Sequence, residues 1–362
     1  MFSSTVVWHV LIGCGPGQED ADVVEPGVFG SAQFAVVATE DDQLSTPRDL
    51  AFHPDFADEL WVVNQDTDSV VVLFSPGTGG QESQRFKDPA ANHFMEEVSS
   101  LAMGVSQENE SDGAVVSTFA SCQETRNTYD DSQEPDDFMG PVLWPAEVAL
   151  FAEDLDGPLG SHLDMLHQSP FCMGIEHDHD NVFWVFDGGN DMLTWYDFQE
   201  DHGFGNDDHG DGMVRRYAEV ELDRVAQVPG HLVLDRVSNL LYIANTGEGT
   251  IVEVDARSGK DVGAGVCERF EPLEDCTEFG NVTFRTLVTG LVAPSGIALD
   301  GAGHLFVSDH DSGEIIAFDL AGAELDRVSV PEGAGVMGLE VGPDGSIWYA
   351  HGGADVVGHL TF

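Results

Sequence analysis

Lysine is almost missing from this sequence of 362 residues. Only Lys87 and Lys260 occur, and Lys and Arg together number 13 against 66 Asp and Glu, a net charge of −53. Such a surface repels phosphate backbones and anionic headgroups, which argues against nucleic acid and direct membrane contact as functions. Its natural small partners are cations. Salt screens the self-repulsion of such a chain, so a saline medium suits it. Association through large flat faces is opposed, and a monomer is expected. The standard chemical signatures are missing as well: no GxSxG, no HExxH and no GxxxxGK[ST]. A nucleotide cofactor is therefore not expected. None of the five cysteines lies in a CxxC arrangement, which argues against a structural zinc site of that type or a thioredoxin-like centre.

Long apolar runs are also lacking. Thr5 to Gly13 (TVVWHVLIG) is too short to span a bilayer, no basic residue precedes it, and His9 interrupts it. It leads into Cys14, and Leu11-Ile12-Gly13-Cys14 resembles a bacterial lipobox. That resemblance implies a lipid-anchored or otherwise exported protein, at the bacterial cell envelope, in the periplasm or outside the cell. Residues 1–27 then form a leader and acidic linker, and residues 28–362 the folded domain. The four remaining cysteines suit an oxidising compartment. Cys267 and Cys276 bracket a short acidic loop and form the local pair, which leaves Cys122 and Cys172 for a long-range one.

What the chain does have is a repeat. A turn, a short apolar strand, a Gly/Asp turn and a second apolar strand ending in Asn, Asp or His recur from Pro47, Phe171, Pro229, Pro294 and Val336. Gly174 to Asp187, Gly296 to Asp309 and Gly338 to His351 share one spacing of 13 residues. A sixth, degenerate copy fits VSSLAMGVSQ, GAVVSTFASC and PVLWPAEVALFA, interrupted by an acidic insertion. Fourth strands read as VRRYAEVEL, NVTFRTLVTG and AELDRVSVP. Only three strands remain for the last copy, so VFGSAQFAVVA near the N-terminus is expected to supply its outer strand and close the ring. No stretch reads as a long amphipathic helix.

These repeats, as in PSGIALD, LFVSD and GEIIAFD, resemble the NHL family. The resemblance implies an all-β, six-bladed β-propeller with a central channel lined by the first strand of each blade. WD40 repeats are a poorer fit, because their Trp-Asp and Gly-His signatures are missing.

Aligning the copies gives columns. Asp49, Gly174, His231, Gly296 and Gly338 begin the inner strands, preceded by Arg48, Met173, Gly230, Ser295 and Met337. Arg48, Met173, Ser295 and Met337 are thus expected to crowd the channel mouth as ligand-binding positions. His177 stands in a column otherwise filled by Phe52, Leu234, Leu299 and Val341. A buried imidazole there must be hydrogen-bonded or bound to a metal. Asn64, Asp187, Asn245, Asp309 and His351 close the second strands and are expected to cap the following turn.

Between Glu153 and Met213 the repeat is interrupted and six of the 14 histidines gather: His162, His167, His177, His179, His202 and His209. Neutral imidazole suits Zn or Cu, and carboxylates suit Ca. His162, His167, His177 and His231 are expected to form a His cluster for Zn or Cu. The loop of Asp207, Asp208 and His209 is expected to hold Ca; it lacks the spacing and closing Glu of an EF-hand.

Two functions follow. One is an exported binding or interaction propeller with a bound divalent metal, its partner an unidentified small molecule or protein. The other is a metal-dependent lyase or hydrolase at the channel mouth, with Asp49 and Glu176 as catalytic carboxylates. A distant resemblance to peptidyl-hydroxyglycine amidating lyases implies the second. It rests on PGHL at His231 and on Arg48, but Gly296 and Gly338 stand where further ligands would be needed.

Overall fold

The computed structural model describes residues 27–108, 115–126, 139–155, 159–267 and 273–362. The segment read as a leader, with its lipobox-like residues, and most of the acidic insertion after Gln123 lie outside them. Six antiparallel sheets form the blades of a six-bladed β-propeller. Blade 1 runs through Pro47–Phe52, Glu59–Asn64, Ser69–Phe74 and Glu82–Phe86. Blade 2, the degenerate copy, uses Val98–Met103, Thr118–Gln123, Val142–Pro145 and a two-residue outer strand, Asp164–Met165. Blade 3 uses Cys172–His179, Val182–Asp187, Met192–Asp197 and Met213–Glu221. Blades 4, 5 and 6 begin with the inner strands Leu232–Asp235, Pro294–Leu299 and Val336–Val341. No helix among the described residues is long and apolar enough to cross a membrane.

The expected closure is present. Gln33–Ala38 pairs antiparallel with Val356–Thr361, from Gln33 opposite Thr361 to Ala38 opposite Val357, and so completes blade 6. A hairpin of Lys260–Ala264 and Asp275–Gly280 was not anticipated. It leaves blade 4 and adds to blade 3, with Asp275–Gly280 parallel to Met213–Glu221. Cys267 and Cys276 are bonded in this hairpin, and Cys122 and Cys172 join blades 2 and 3.

Strand alternation explains the core. Successive side chains point to opposite faces of a blade. In blade 1, Trp61 and Val63 therefore pack toward blade 2 with Phe119 and Trp144, while Leu60 and Val62 pack toward blade 6 with Trp348 and Ala350. Apolar clusters of this kind fill each of the six interfaces between neighbouring blades among the described residues. Each fully buried Val or Leu contributes about 1.5–3 kcal/mol.

Close to the axis the blades nearly touch, which accounts for the glycine column. A Cβ on Gly174 would lie 2.1 Å from the carbonyl oxygen of Gly230, and one on Gly296 would lie 2.1 Å from that of Met337. The column at the end of the second strands does something different from capping the next turn alone. Asn64 Oδ1 accepts from Ser45 N, Asn245 Oδ1 from Asp223 N, and Asp309 Oδ2 from Val292 N. Each side chain thereby anchors the connection that enters its own blade.

Candidate metal centre and channel

A cluster of histidines lies at the outer rim between blades 2 and 3. Blade 2's short outer strand carries Asp164, with Ser161 to Leu163 leading into it. The loop between the third and fourth strands of blade 3 carries His202 and His209. The two segments are laced together by backbone hydrogen bonds from Gly205 N to His162 O (2.8 Å) and from His202 N to Leu163 O (3.1 Å). One ligand atom each from Asp164, His202 and His209 lies within 4.8 Å of the other two. Around them, ring centroids are 4.9 Å apart for His162 and His202, 5.0 Å for His202 and His209, and 5.4 Å for His167 and His209. His93, from the four-residue helix Ala91–Phe94, stacks 6.1 Å from His167.

The hydrogen bonds set the tautomers. Nδ1 of His162 lies 3.0 Å from Leu159 O, and Nδ1 of His202 lies 2.7 Å from Gly203 O. A carbonyl can only accept, so each Nδ1 carries the proton and each Nε2 presents a lone pair. Neither Nε2 has a hydrogen-bond partner among the described residues, and neither does Oδ2 of Asp164. Asp164 Oδ1 accepts from Met165 N at 2.6 Å and lies 2.9 Å from His209 Nδ1. His162 and Asp164 are fully buried. Burial holds the His162 imidazole well below its ordinary pKa and takes His202 and His93 down to about 4. Burial also raises the Asp164 carboxyl well above the usual range, with Asp211, Asp201 and Asp208 adding to it. Neutral imidazoles and an orphaned carboxylate oxygen form a donor set suited to Zn, Cu, Fe or Ni. A depression of about 750 Å³ opens over His202, lined by Glu200, Asp201, Asp207, Asp208, Asp211 and Glu274. Carboxylates concentrated in one concavity raise the local cation concentration.

Of the residues singled out by sequence, His162, His167 and His209 meet here. His177 and His231 do not join them. His177 Nε2 bonds Asp180 O at 2.9 Å and its Nδ1 faces Arg236 at 3.3 Å, so its place in an apolar column is accounted for by a carbonyl partner. Asp207 and Asp208 are exposed, while His209 in the same loop is turned inward. Sequence reasoning did not include Asp164, His202 and His93 in the donor set. The signal for Asp164 was there: SHLD places it two residues after His162, on the same side of an extended chain.

His231 belongs instead to the central channel. Blades 1 and 4 are opposite one another in the ring, and their Asp49 and His231 side chains meet on the axis with Oδ2 and Nδ1 3.3 Å apart. Asp49 also accepts from Leu50 N and Leu101 N. Beyond this contact the passage is blocked by Arg48, wholly buried, whose Nη1 lies 2.8 Å from Glu124 Oε2. Glu124 in turn receives Arg224 Nη1 and Gln227 N. Met173, Ser295 and Met337 are buried at the same level, where Ser295 Oγ donates to Pro229 O. The other end is open and leads into a cavity of about 420 Å³, which Glu176 and Glu340 line. Burial raises Glu176 to about 7 and Glu340 to about 8, and repulsion from Asp49 adds to both.

No family model matches the chain, and no curated protein matches it in sequence. Solved structures do match. The chain is similar to regucalcin, a calcium-binding protein from Agrobacterium tumefaciens, at 15% identity and a TM-score of 0.51, over 91% of this chain and 94% of that one. An auxiliary nutrient binding protein from Bacteroides thetaiotaomicron matches at 11% identity and a TM-score of 0.53, over 88% and 69%. A luciferin-regenerating enzyme matches at 13% identity and a TM-score of 0.51, over 91% and 96%. The likeness is one of fold. All are six-bladed propellers, as the repeat spacing implied for this chain.

Proposed function

We propose that the chain is an exported binding propeller that holds one divalent transition metal at its rim, on Asp164, His202 and His209 with His162 beside them. One observation carries this reading: Asp164, His202 and His209 each bring a ligand atom within 4.8 Å of the other two, and His202 Nε2 and Asp164 Oδ2 have no partner among the described residues. Leaving such groups unsatisfied costs about 1–3 kcal/mol each, which a metal would offset. The acidic depression over His202 supplies a route for the cation. Two of the fold neighbours are named for binding, calcium in one case and nutrient in the other, which is in keeping with a binding role. The two disulfides suit an exported protein. The Asp207–Asp208 loop serves this reading as part of the cation route rather than as a calcium cage.

A metal-dependent lyase or hydrolase is a second reading, favoured by one feature. Three protein donors leave coordination positions open, as in catalytic zinc sites. A metal bound there would polarise a carbonyl or lower the pKa of a bound water.

Metal analysis of the purified chain tests the proposal. One zinc, copper, iron or nickel per chain is expected, lost in His202→Ala and retained in His177→Ala. A metal-free parent that also fails to take up zinc on dialysis would refute it.

A further inference from the structure

The blind channel is chemically unlike the rim centre. Its wall is mixed: Leu50, Leu101, Ile175, Leu232, Ile297 and Leu339 contribute one residue from each blade, each largely packed between blades with an edge at the cavity, and polar groups cover the rest. Set into that wall are three carboxylates, Asp49 from blade 1, Glu176 from blade 3 and Glu340 from blade 6. Blade 2 contributes no charge to the lining. Blade 4 contributes His231 and Arg236, and blade 5 contributes Asp300, which is spent on its own turn through Ala302 N and His304. Arg236 is half exposed at the rim, where it reaches Glu176 at 3.7 Å and also bonds the carbonyls of His177 and Asp178. It partly offsets the charge of Glu176, which also accepts from Leu234 N, and forms no ion pair with Glu340.

Glu340 has no hydrogen bond or ion pair among the described residues. Nor does the second nitrogen of His231: that ring is 4% exposed, lines the closed end of the cavity, and has Nε2 without a partner. Glu340 is partly exposed to the cavity, where an unpaired carboxylate is a ready partner for a cation that enters. A bare metal ion is the wrong size for these groups. Among the described residues, Asp164, His202 and His209 are the group of three or more metal-type ligands that converge within 4.8 Å; the channel's carboxylates and His231 do not. Donors spread over a cavity of about 420 Å³, with aliphatic edges between them, suit a larger guest.

The geometry points to a second binding site in the channel, for a small organic cation: an ammonium group held between Glu340 and Glu176, its apolar body against the leucine and isoleucine ring. Asp49 and His231 form the floor. The site shares no residue with the rim centre and stands independently of it. Near pH 7 the Glu340 carboxyl is largely protonated and Glu176 about half so, and an ammonium guest favours release of these protons.

Calorimetry on the purified full chain decides it, with phenethylammonium as the probe, 2-phenylethanol as its neutral counterpart and calcium as the metal arm, all at fixed ionic strength. Phenethylammonium is expected to bind and the alcohol to give no heat. Binding heats near pH 7 should vary with buffer ionisation enthalpy, showing proton release. Glu340→Gln and Glu176→Gln should each weaken the amine about tenfold or more, the scale of a lost charge-assisted hydrogen bond, with the metal content of the rim unchanged. The proposal is overturned by no amine binding at about 10 mM, weaker than any affinity a buried ion pair would give. It is equally overturned if the alcohol binds as well as the amine, if both variants bind the amine like the parent, or if calcium displaces the amine one for one.

Discussion

Asp164 on the outer strand of blade 2 and His209 in a loop of blade 3 meet with Oδ1 and Nδ1 2.9 Å apart, 45 residues distant in sequence. The contact fixes a carboxylate and an imidazole side by side while Asp164 Oδ2 stays without a partner. It also predicts which substitutions empty the centre. Asp164→Asn and His209→Ala should each lower zinc affinity by about 100-fold or more, beyond the 10–100-fold typical of groups that only orient ligands. His231→Ala should leave it unchanged. Competition with a chromophoric chelator measures all three.

The axial glycines should resist even a methyl group. In Gly338→Ala the new Cβ would lie 2.6 Å from Asp49 Oδ1 and 2.7 Å from Asp49 Cα. Backbone cannot yield as a flexible side chain can, so the expected loss is about 1–3 kcal/mol in urea denaturation. Gly79→Ala, with nothing within 4 Å of its Cβ position, should stay within about 0.5 kcal/mol of the parent.

Arg216 and Asp187 form a buried pair in blade 3, with Nη1 and Oδ2 2.5 Å apart and the guanidinium also bonding Gln168 O and Thr194 Oγ1. Arg216→Met would strand a buried carboxylate. The expected cost is about 3–5 kcal/mol, read from the shift in denaturation midpoint.

Glu340 makes stability depend on pH in a definite direction. Its folded pKa of about 8 lies above the ordinary 4.5, so between those values the native state keeps a proton that the unfolded chain has released. That contribution is complete below about 4.5 and is lost as pH rises toward about 8. Glu340→Gln should therefore match the parent near pH 4.5 and exceed it in thermal stability near pH 8. A parallel pair of stability curves across that range would contradict the assignment.

The ring was legible in the sequence because a propeller repeats one supersecondary unit, and the 13-residue spacing from Gly174 to Asp187 recurs in blades 5 and 6. The closing strand was legible because the last blade was one strand short. The hairpin at Lys260–Gly280 was not, since docking onto a neighbouring blade's edge leaves no trace in periodicity. Histidine density pointed to the region of the candidate centre but not to its membership. His177 is near His167 in the chain, yet the first strand of blade 3 carries it to the channel rim, whereas His93 arrives from a helix far upstream. Glu340 could have been found: it stands two residues after Gly338, as Glu176 does after Gly174, and the two columns align.

The most direct measurement is an anomalous difference map from crystals of the zinc-loaded chain, collected at the zinc edge. One dominant peak is expected between Asp164, His202 and His209, about 2.0–2.2 Å from their ligand atoms. A peak in the central channel at His231, or none at the rim of blades 2 and 3, would contradict it.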